Sequence, residues 1–525
     1  EAGVEVIVGE NMGISFDGGV LSDGTCSGMN AIGTSDDRIT FTADNSLNAN
    51  ALWHGLAFTN DCGQAVADRH EFSFVDFSNT NYAAITAGSR PADSSGPSCG
   101  TATQDCDVGE FTMSDVTFSN VESAFSHGSG QGTVVTMSNF AVTDARESCF
   151  NFAQNTVATL TGTASSPSTM TRCNTGNNNW AGAIASDVSG STAGSLTMSY
   201  VNIIDSRVSV IKTDLQMVTI SDVTVTTPTI NDQYSWGDQG IPAPGASRGY
   251  SSLYDTTGVS LGLTHGQASE VVITNFNAPN YHQAYICAAA KVSLDNVDLG
   301  SGFDTSNSHN HRLNIDPYCG AVVTTPGSMG ADSVFNDVTA PAINMFRTFP
   351  GTATNLQVAN DFKIAELDVS SGSSDTVVFD GINVGGLFEV TSCGSDVQLT
   401  GSTVGRIDSL CQKPLGTSSI NIVDSTIAHS SSNSAIYGIQ TQFIIVNSVV
   451  SSSTVSASGP YLLYANTGVL AFLIDVDFTD GSGTTFACAD HNGKTSNCHT
   501  SKNVQPGLTD PEIYYGGFTN ALTYR

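Results

Sequence analysis

Met113-Ser114-Asp115-Val116-Thr117-Phe118 is answered 24 residues later by Met137-Ser138-Asn139-Phe140-Ala141-Val142. Both phrases put apolar residues on alternate positions and break the alternation once, at a polar residue followed by Asp or Asn. The phrase occurs earlier as Phe72-Ser73-Phe74-Val75-Asp76-Phe77 and later as Ile220-Ser221-Asp222-Val223-Thr224-Val225. It returns as Leu294-Asp295-Asn296-Val297, Phe335-Asn336-Asp337-Val338, Phe379-Asp380-Gly381-Ile382 and Leu399-Thr400-Gly401-Ser402. Met198 to Ile220 is 22 residues, Ile273 to Leu294 is 21, and after Phe379 the steps run from 20 to 28. An interval recurring in the low twenties is the mark of one structural unit repeated.

Each phrase reads as two short strands whose alternate side chains point inward, joined at a bend. Asp, Asn and Gly suit the bend because they tolerate a left-handed backbone. Three short strands and three turns fill a coil of this length, and successive coils stack in parallel about 4.8 Å apart. The leucine-rich-repeat signature is missing, and no stretch carries apolar residues at helical spacing. The expected fold is all-β: a right-handed parallel β-helix with a period of about 20–24 residues. Residues 60 to 485 resemble the pectate-lyase-like β-helix superfamily in this respect, and the resemblance speaks to fold far more than to function.

Composition agrees with such a solenoid: 39% hydrophobic residues, 13% charged and 52 Gly, enough apolar content to exclude a disordered chain. Contacts between neighbouring coils let one core grow with length, so 525 residues are expected to form one long domain. The expected divisions are an N-terminal strand or cap (1–30), the β-helix (31–485), and a C-terminal disulfide hairpin with an aromatic tail (486–525).

Twelve cysteines without a C-x-x-C motif point to disulfides rather than zinc, and so to an extracellular location. Sequential pairing gives Cys26 with Cys62, Cys99 with Cys106, Cys149 with Cys173, Cys287 with Cys319, Cys393 with Cys411, and Cys488 with Cys498. Sequence alone leaves that connectivity open. The chain starts at Glu1 with no signal peptide and no membrane-spanning apolar run, and reads as a mature secreted product.

A net charge of −32 excludes nucleic acid and anionic membranes as partners. The 38 Asp residues have two readings, solubility in salty water or Ca²⁺ held by turn carboxylates and carbonyls. None of the 38 Asn residues begins an N-x-Ser/Thr sequon, where chance gives roughly nine. A surface that must pack closely against copies of itself would explain that absence.

Three stretches break the period and are expected to leave the solenoid as loops: 84–109, 228–258 and 300–331. The second holds Tyr234, Trp236 and Asp238, and the third His309, His311, Arg312 and Asp316. These are the candidate binding residues, the His pair with Asp316 also suiting a metal or acid–base role. Candidate assembly residues lie at the ends. The strand with Val4, Val6 and Val8 caps its own solenoid or adds to a neighbour's, and Tyr514, Tyr515 and Phe518 suit docking in cis or in trans.

The superfamily resemblance implies polysaccharide lyases and glycoside hydrolases, and their motifs can be sought residue by residue. Ser126-His127-Gly128 and Val210-Ile211-Lys212 echo the polygalacturonase pattern, but its Asn-Thr-Asp and Arg are missing and no Asp-Asp precedes His127 by one coil. A lyase-like base beside Ca²⁺-binding carboxylates finds its best local match in Asp205, Arg207, Lys212 and Asp214. Cross-strand charge pairing explains that group equally well.

Failed motifs, few bases, missing sequons and irregular ends together point to an extracellular structural protein. It would be a self-assembling subunit of a cell-surface filament, sheath or surface layer. The other reading is a secreted carbohydrate-active β-helix enzyme or glycan-binding adhesin.

Overall fold

The computed structural model describes residues 3–17, 28–46, 48–59, 69–87, 109–127, 133–153, 155–175, 182–186, 194–206, 210–213, 215–226, 257–261, 268–279, 283–286, 288–301, 313–315, 333–346, 351–365, 376–391, 396–411, 418–430, 434–439, 441–453, 463–465, 470–474, 476–480, 485–487, 504–506 and 512–516. The fold is all-β, with no helix among the described residues. Contacts divide the chain into two compact units, one reaching to Ala289 and the other beginning at Ala290.

In the first unit each coil gives one strand to each of three parallel sheets. One coil supplies Glu110–Ser114, Thr117–Val121 and Phe125–His127 to the first, second and third sheet. The next supplies Val134–Ser138, Ala141–Ala145 and Phe150–Phe152, each parallel to its counterpart. The register places Met137 on Met113, then Leu160, Met198, Ile220 and Ile273 in the same column. The 24-residue step of the opening phrase is therefore one coil. The second unit stacks in the same manner, aligning Phe379, Leu399, Ile422, Ile445 and Leu473.

The bend residues fix the corner between the first and second sheets. Asp115, Asn139, Asp222, Asn275, Asn296, Asp337, Asn355, Gly381, Gly401, Asp424 and Asn447 all have φ between +48° and +64°. Neighbouring bends also bond to one another: Asn275 Nδ2 donates to Asp222 Oδ1 at 2.9 Å. Two bends break the rule, with Phe74 at φ +52° and Tyr200 at φ +53°. A left-handed backbone costs a residue with a bulky side chain about 1–2 kcal/mol, and Asn far less. Tyr200→Asn is therefore expected to stabilise the protein by about 1 kcal/mol, read from urea or thermal unfolding.

Inside the coils, apolar residues stack in columns. The rings of Phe41, Phe77 and Phe118 lie nearly parallel with successive centroids 5.2 Å apart. In three successive coils of the second unit the residue after the bend is an inward serine. Ser402, Ser425 and Ser448 each donate a hydroxyl to the carbonyl two residues back, at 2.7–2.8 Å. Each also accepts a backbone N–H from the preceding coil, from Ile382, Ser402 and Ser425 in turn. Buried polar groups must be paired, so this ladder satisfies backbone that the corner would otherwise orphan. Ser425→Ala is expected to cost about 2 kcal/mol in unfolding free energy, because Ser402 N–H and Val423 C=O both lose a partner.

Several sequence expectations need correction here. The stretches 84–109 and 300–331 are not wholly outside the solenoid: Ile85–Ala87 and Leu313–Ile315 are rungs of its third sheet. Three-residue strands are too short to show alternation, so the sequence hides them. The repeat also extends past both expected ends. Glu5–Val8 pairs in parallel with Ile39–Ala43 of its own chain, and Glu512–Gly516 with Leu470–Ile474. Tyr514 and Tyr515 are thus rung residues, aligned with Phe472 and Leu473. Phe518 lies outside the described residues. Cys149 and Cys173, 24 residues apart, form the expected coil-to-coil disulfide, and Cys411 is disulfide-bonded. The other nine cysteines lie outside the described residues.

Candidate functional site

Glu122-Ser123-Ala124-Phe125 recurs 25 residues later as Glu147-Ser148-Cys149-Phe150. Both segments turn the chain from the second sheet into the third in the first unit. Phe125 and Phe150 point inward and align, Ser123 and Ser148 are buried, and the two glutamates come onto adjacent coils. Glu147 N–H donates to Glu122 C=O at 2.8 Å, and Asn174 N–H to Glu147 C=O at 2.7 Å. The Cys149–Cys173 disulfide staples the Glu147 coil to the following coil, which carries Asn174.

Both glutamates are half-buried. Burial, and then repulsion from Glu147, push the Glu122 carboxyl up to about 7, with Arg146 opposing. Arg146 is anchored through Nη2 to the carbonyl of Thr80, two coils back and next to the Glu122 coil. The Thr80 coil also carries Tyr82, whose ring meets His54 edge to face at 4.7 Å. The corner thus presents an aromatic pair, a cation and two carboxyls, with the Glu122 carboxyl raised. A carboxyl raised to about 7 suits a general-acid role near neutral pH.

A raised carboxyl pKa stabilises the fold fully below the unfolded value of 4.5, and that stabilisation is lost as pH rises through about 7. Glu122→Gln should therefore raise the unfolding temperature at pH 8 relative to wild type and leave it nearly unchanged at pH 4.5. Equal shifts at both pH values would contradict the raised pKa.

The sequence candidates are placed differently. Asp205 is at a left-handed bend, φ +54°, after the strand Ser195–Ile204. Alternation along a strand therefore does not pair it with Arg207. Its electrostatic neighbour is Arg172, which binds Asp144 at 2.7 Å and feels both carboxylates. Lys212 lies apart from that bend, in the third-sheet strand Ile211–Thr213, and is buried. Arg207 and Asp214 lie outside the described residues, as do Tyr234, Trp236, Asp238, His309, His311, Arg312 and Asp316.

His127, in the polygalacturonase echo, faces the core. Thr156 Oγ gives its proton to Ala153 C=O, so His127 Nδ1–H donates to it at 3.1 Å. Thr133 hydroxyl then donates to Nε2 at 3.0 Å, and burial lowers the ring's pKa to about 4. This is a neutral core histidine.

The second unit carries a charged column on its third sheet: Lys363, Glu389, Asp408 and Tyr437. Lys363 binds Glu389 at 3.1 Å, and Arg406 holds both Asp408 oxygens at 2.7 Å. Burial raises the Asp408 pKa against the pull of Arg406. Its charges are mutually paired, which suits a structural role. For Ca²⁺, no group of three His, Cys, Asp or Glu side chains converges among the described residues.

Sequence reading missed Glu122 and Glu147 because it sought aspartate motifs, although the repeated Glu-Ser-x-Phe was there to be found. No protein-family model matches the sequence, and no curated protein matches it significantly.

Proposed function

We propose that this chain is an extracellular structural protein, a self-assembling subunit of a cell-surface filament, sheath or surface layer. Its scaffold is read as a right-handed parallel β-helix like those of the pectate-lyase-like superfamily. The observation that carries this reading is the first coil. Among the described residues, Glu5–Val8 pairs along one edge only, with Ile39–Ala43. Val4, Ile7, Met12 and Ile32 all belong to this first coil and are 38%, 58%, 61% and 50% exposed. An open strand edge with apolar side chains is a template for another strand. The last coil of a second copy offers parallel strands of the same geometry. Val6 and Val8 hold the edge strand in place, Val8 in the core.

Negative-stain microscopy and sedimentation of the purified chain test this. Ordered polymers that Ile7→Lys disperses into monomers support it, while monodisperse wild-type protein across salt and Ca²⁺ concentrations rejects it.

A second reading, a carbohydrate-active enzyme or glycan-binding adhesin, draws on the Glu122–Glu147 pair. Coils about 4.8 Å apart suit the short carboxyl separation of retaining glycosidases rather than the wide inverting one. If a glycan is cleaved, Glu122→Gln and Glu147→Gln should each abolish cleavage. Unimpaired variants would remove the pair from that role.

A further inference from the structure

The outward face of the first sheet in the first unit holds an ordered array of hydroxyls. Three residues before the bend, five consecutive coils place Thr112, Thr136, Thr159, Thr197 and Thr219 in one column. One residue before the bend, the same coils place Ser114, Ser138, Thr161, Ser199 and Ser221 in a second. None of the ten is buried. Five residues before the bend, four coils carry Val134, Val157, Ser195 and Met217, with Val157 and Met217 41% and 50% exposed.

Strand propensity alone does not produce this pattern, and the second unit provides the control. Over its five coils with bends at Asp337, Asn355, Gly381, Gly401 and Asp424, the equivalent ten positions hold three hydroxyls: Thr352, Thr354 and Thr400. Val334, Val378, Gln398 and Asn421 stand where the first unit has threonine. The array is also free of charge in a chain with 49 acidic residues. Acids appear at its borders, Glu71 and Glu110 on one side and Glu270 on the other.

We propose that this face binds ice. Parallel pairing sets successive hydroxyls of a column about 4.8 Å apart along the stacking direction, and the strand rise sets the two columns about 6.6 Å apart across it. Threonine is stiff at χ1, so its hydroxyl and methyl are held in nearly fixed positions. The result is a preordered, two-dimensional set of oxygen positions, comparable with the oxygen repeats on the faces of hexagonal ice. Hydroxyls anchor first-shell waters by hydrogen bonds while the methyls, with Val157 and Met217, crowd waters between them. A charged side chain would arrange its own radial hydration shell and spoil the lattice, which accounts for the exclusion of acids. A crystalline polysaccharide is also neutral and periodic, but sugar faces are gripped by aromatic rings, and these columns contain none.

The test uses the full chain, taken as the monomeric fraction so that polymerisation does not enter. Thermal hysteresis and inhibition of ice recrystallisation are measured for wild type, Thr159→Lys, Thr197→Lys and, in the second unit, Gln398→Lys. The expected result is faceted ice growth with wild type and Gln398→Lys, and loss of activity in both threonine variants. Circular dichroism and unfolding temperature should stay at wild-type values, since these side chains leave the core untouched. Wild-type protein without effect on ice would overturn the proposal, as would threonine variants with full activity. Co-sedimentation with microcrystalline cellulose or chitin, lost in Thr159→Lys and unaccompanied by hysteresis, would overturn it in favour of a polysaccharide lattice.

Discussion

Lowering the pH from 7 to 4 should destabilise the first unit by about 3 kcal/mol for each of two core histidines, His70 and His127. Both are nearly inaccessible, and burial depresses each pKa from 6.5 to about 4. The unfolded chain takes up the two protons once pH drops below 6.5, while the folded chain refuses them until about 4. The stabilisation is therefore full above pH 6.5 and lost across the interval down to 4. Glu122 acts in the opposite direction above pH 4.5, but it is half-buried and single, so the histidines decide the acid limb.

The two histidines differ in a useful way. His127 has partners on both nitrogens. His70 accepts Met29 N–H at Nδ1, 3.2 Å away, while its Nε2 is buried without a partner. Its ring lies against Phe58 and Phe111, with centroids 4.3 and 4.6 Å away. The described charged groups near it, Arg69, Glu71 and Glu110, lie on the outward side of their strands, with Arg69 paired to Glu110. His70→Phe puts into this slot the residue that the next coil already uses, Phe111. It should remove about half of the acid limb in urea melts at pH 4 and 7. An unchanged pH dependence in this variant would show that His70 is not one of the titrating groups.

Reduction of the Cys149–Cys173 disulfide, or its replacement by serines, is expected to cost about 3 kcal/mol, because it closes a 24-residue loop in the unfolded chain. The loss should reach the candidate site as well. Cys149 lies two residues from Glu147, and Cys173 immediately precedes Asn174, whose N–H holds the Glu147 carbonyl. With the staple gone, the pH dependence attributed to Glu122 should weaken along with global stability. Urea melts at pH 5 and pH 8 for wild type and the double serine variant give both quantities. Unfolding free energies equal to wild type would reject the stabilising role.

How far the sequence could be read depends on the range of the constraint. The corner between the first and second sheets was legible because it is local. A left-handed backbone selects Asp, Asn or Gly at one position, and alternation within a strand selects apolar residues on either side. Phe74 and Tyr200 hide the same corner behind residues that resist it. The third sheet was poorly legible, since Ile85–Ala87 and Leu313–Ile315 are too short to carry a period. Glu122 and Glu147 were visible as a repeated tetrapeptide, but the raised proton affinity of one of them follows from burial and a neighbour 25 residues away.

The sequence by itself determined that the chain coils, where it bends, and which side chains turn inward. Only the tertiary structure decided which residues share a column. Thr136, Thr159, Thr197 and Thr219 are separated by 23, 38 and 22 residues yet occupy consecutive coils. Insertions of any length can leave a solenoid between rungs because loop closure costs little more for a longer loop. The register is then set by the stacking of inward side chains, not by distance along the chain. The hydroxyl array and the carboxyl pair are both properties of that register.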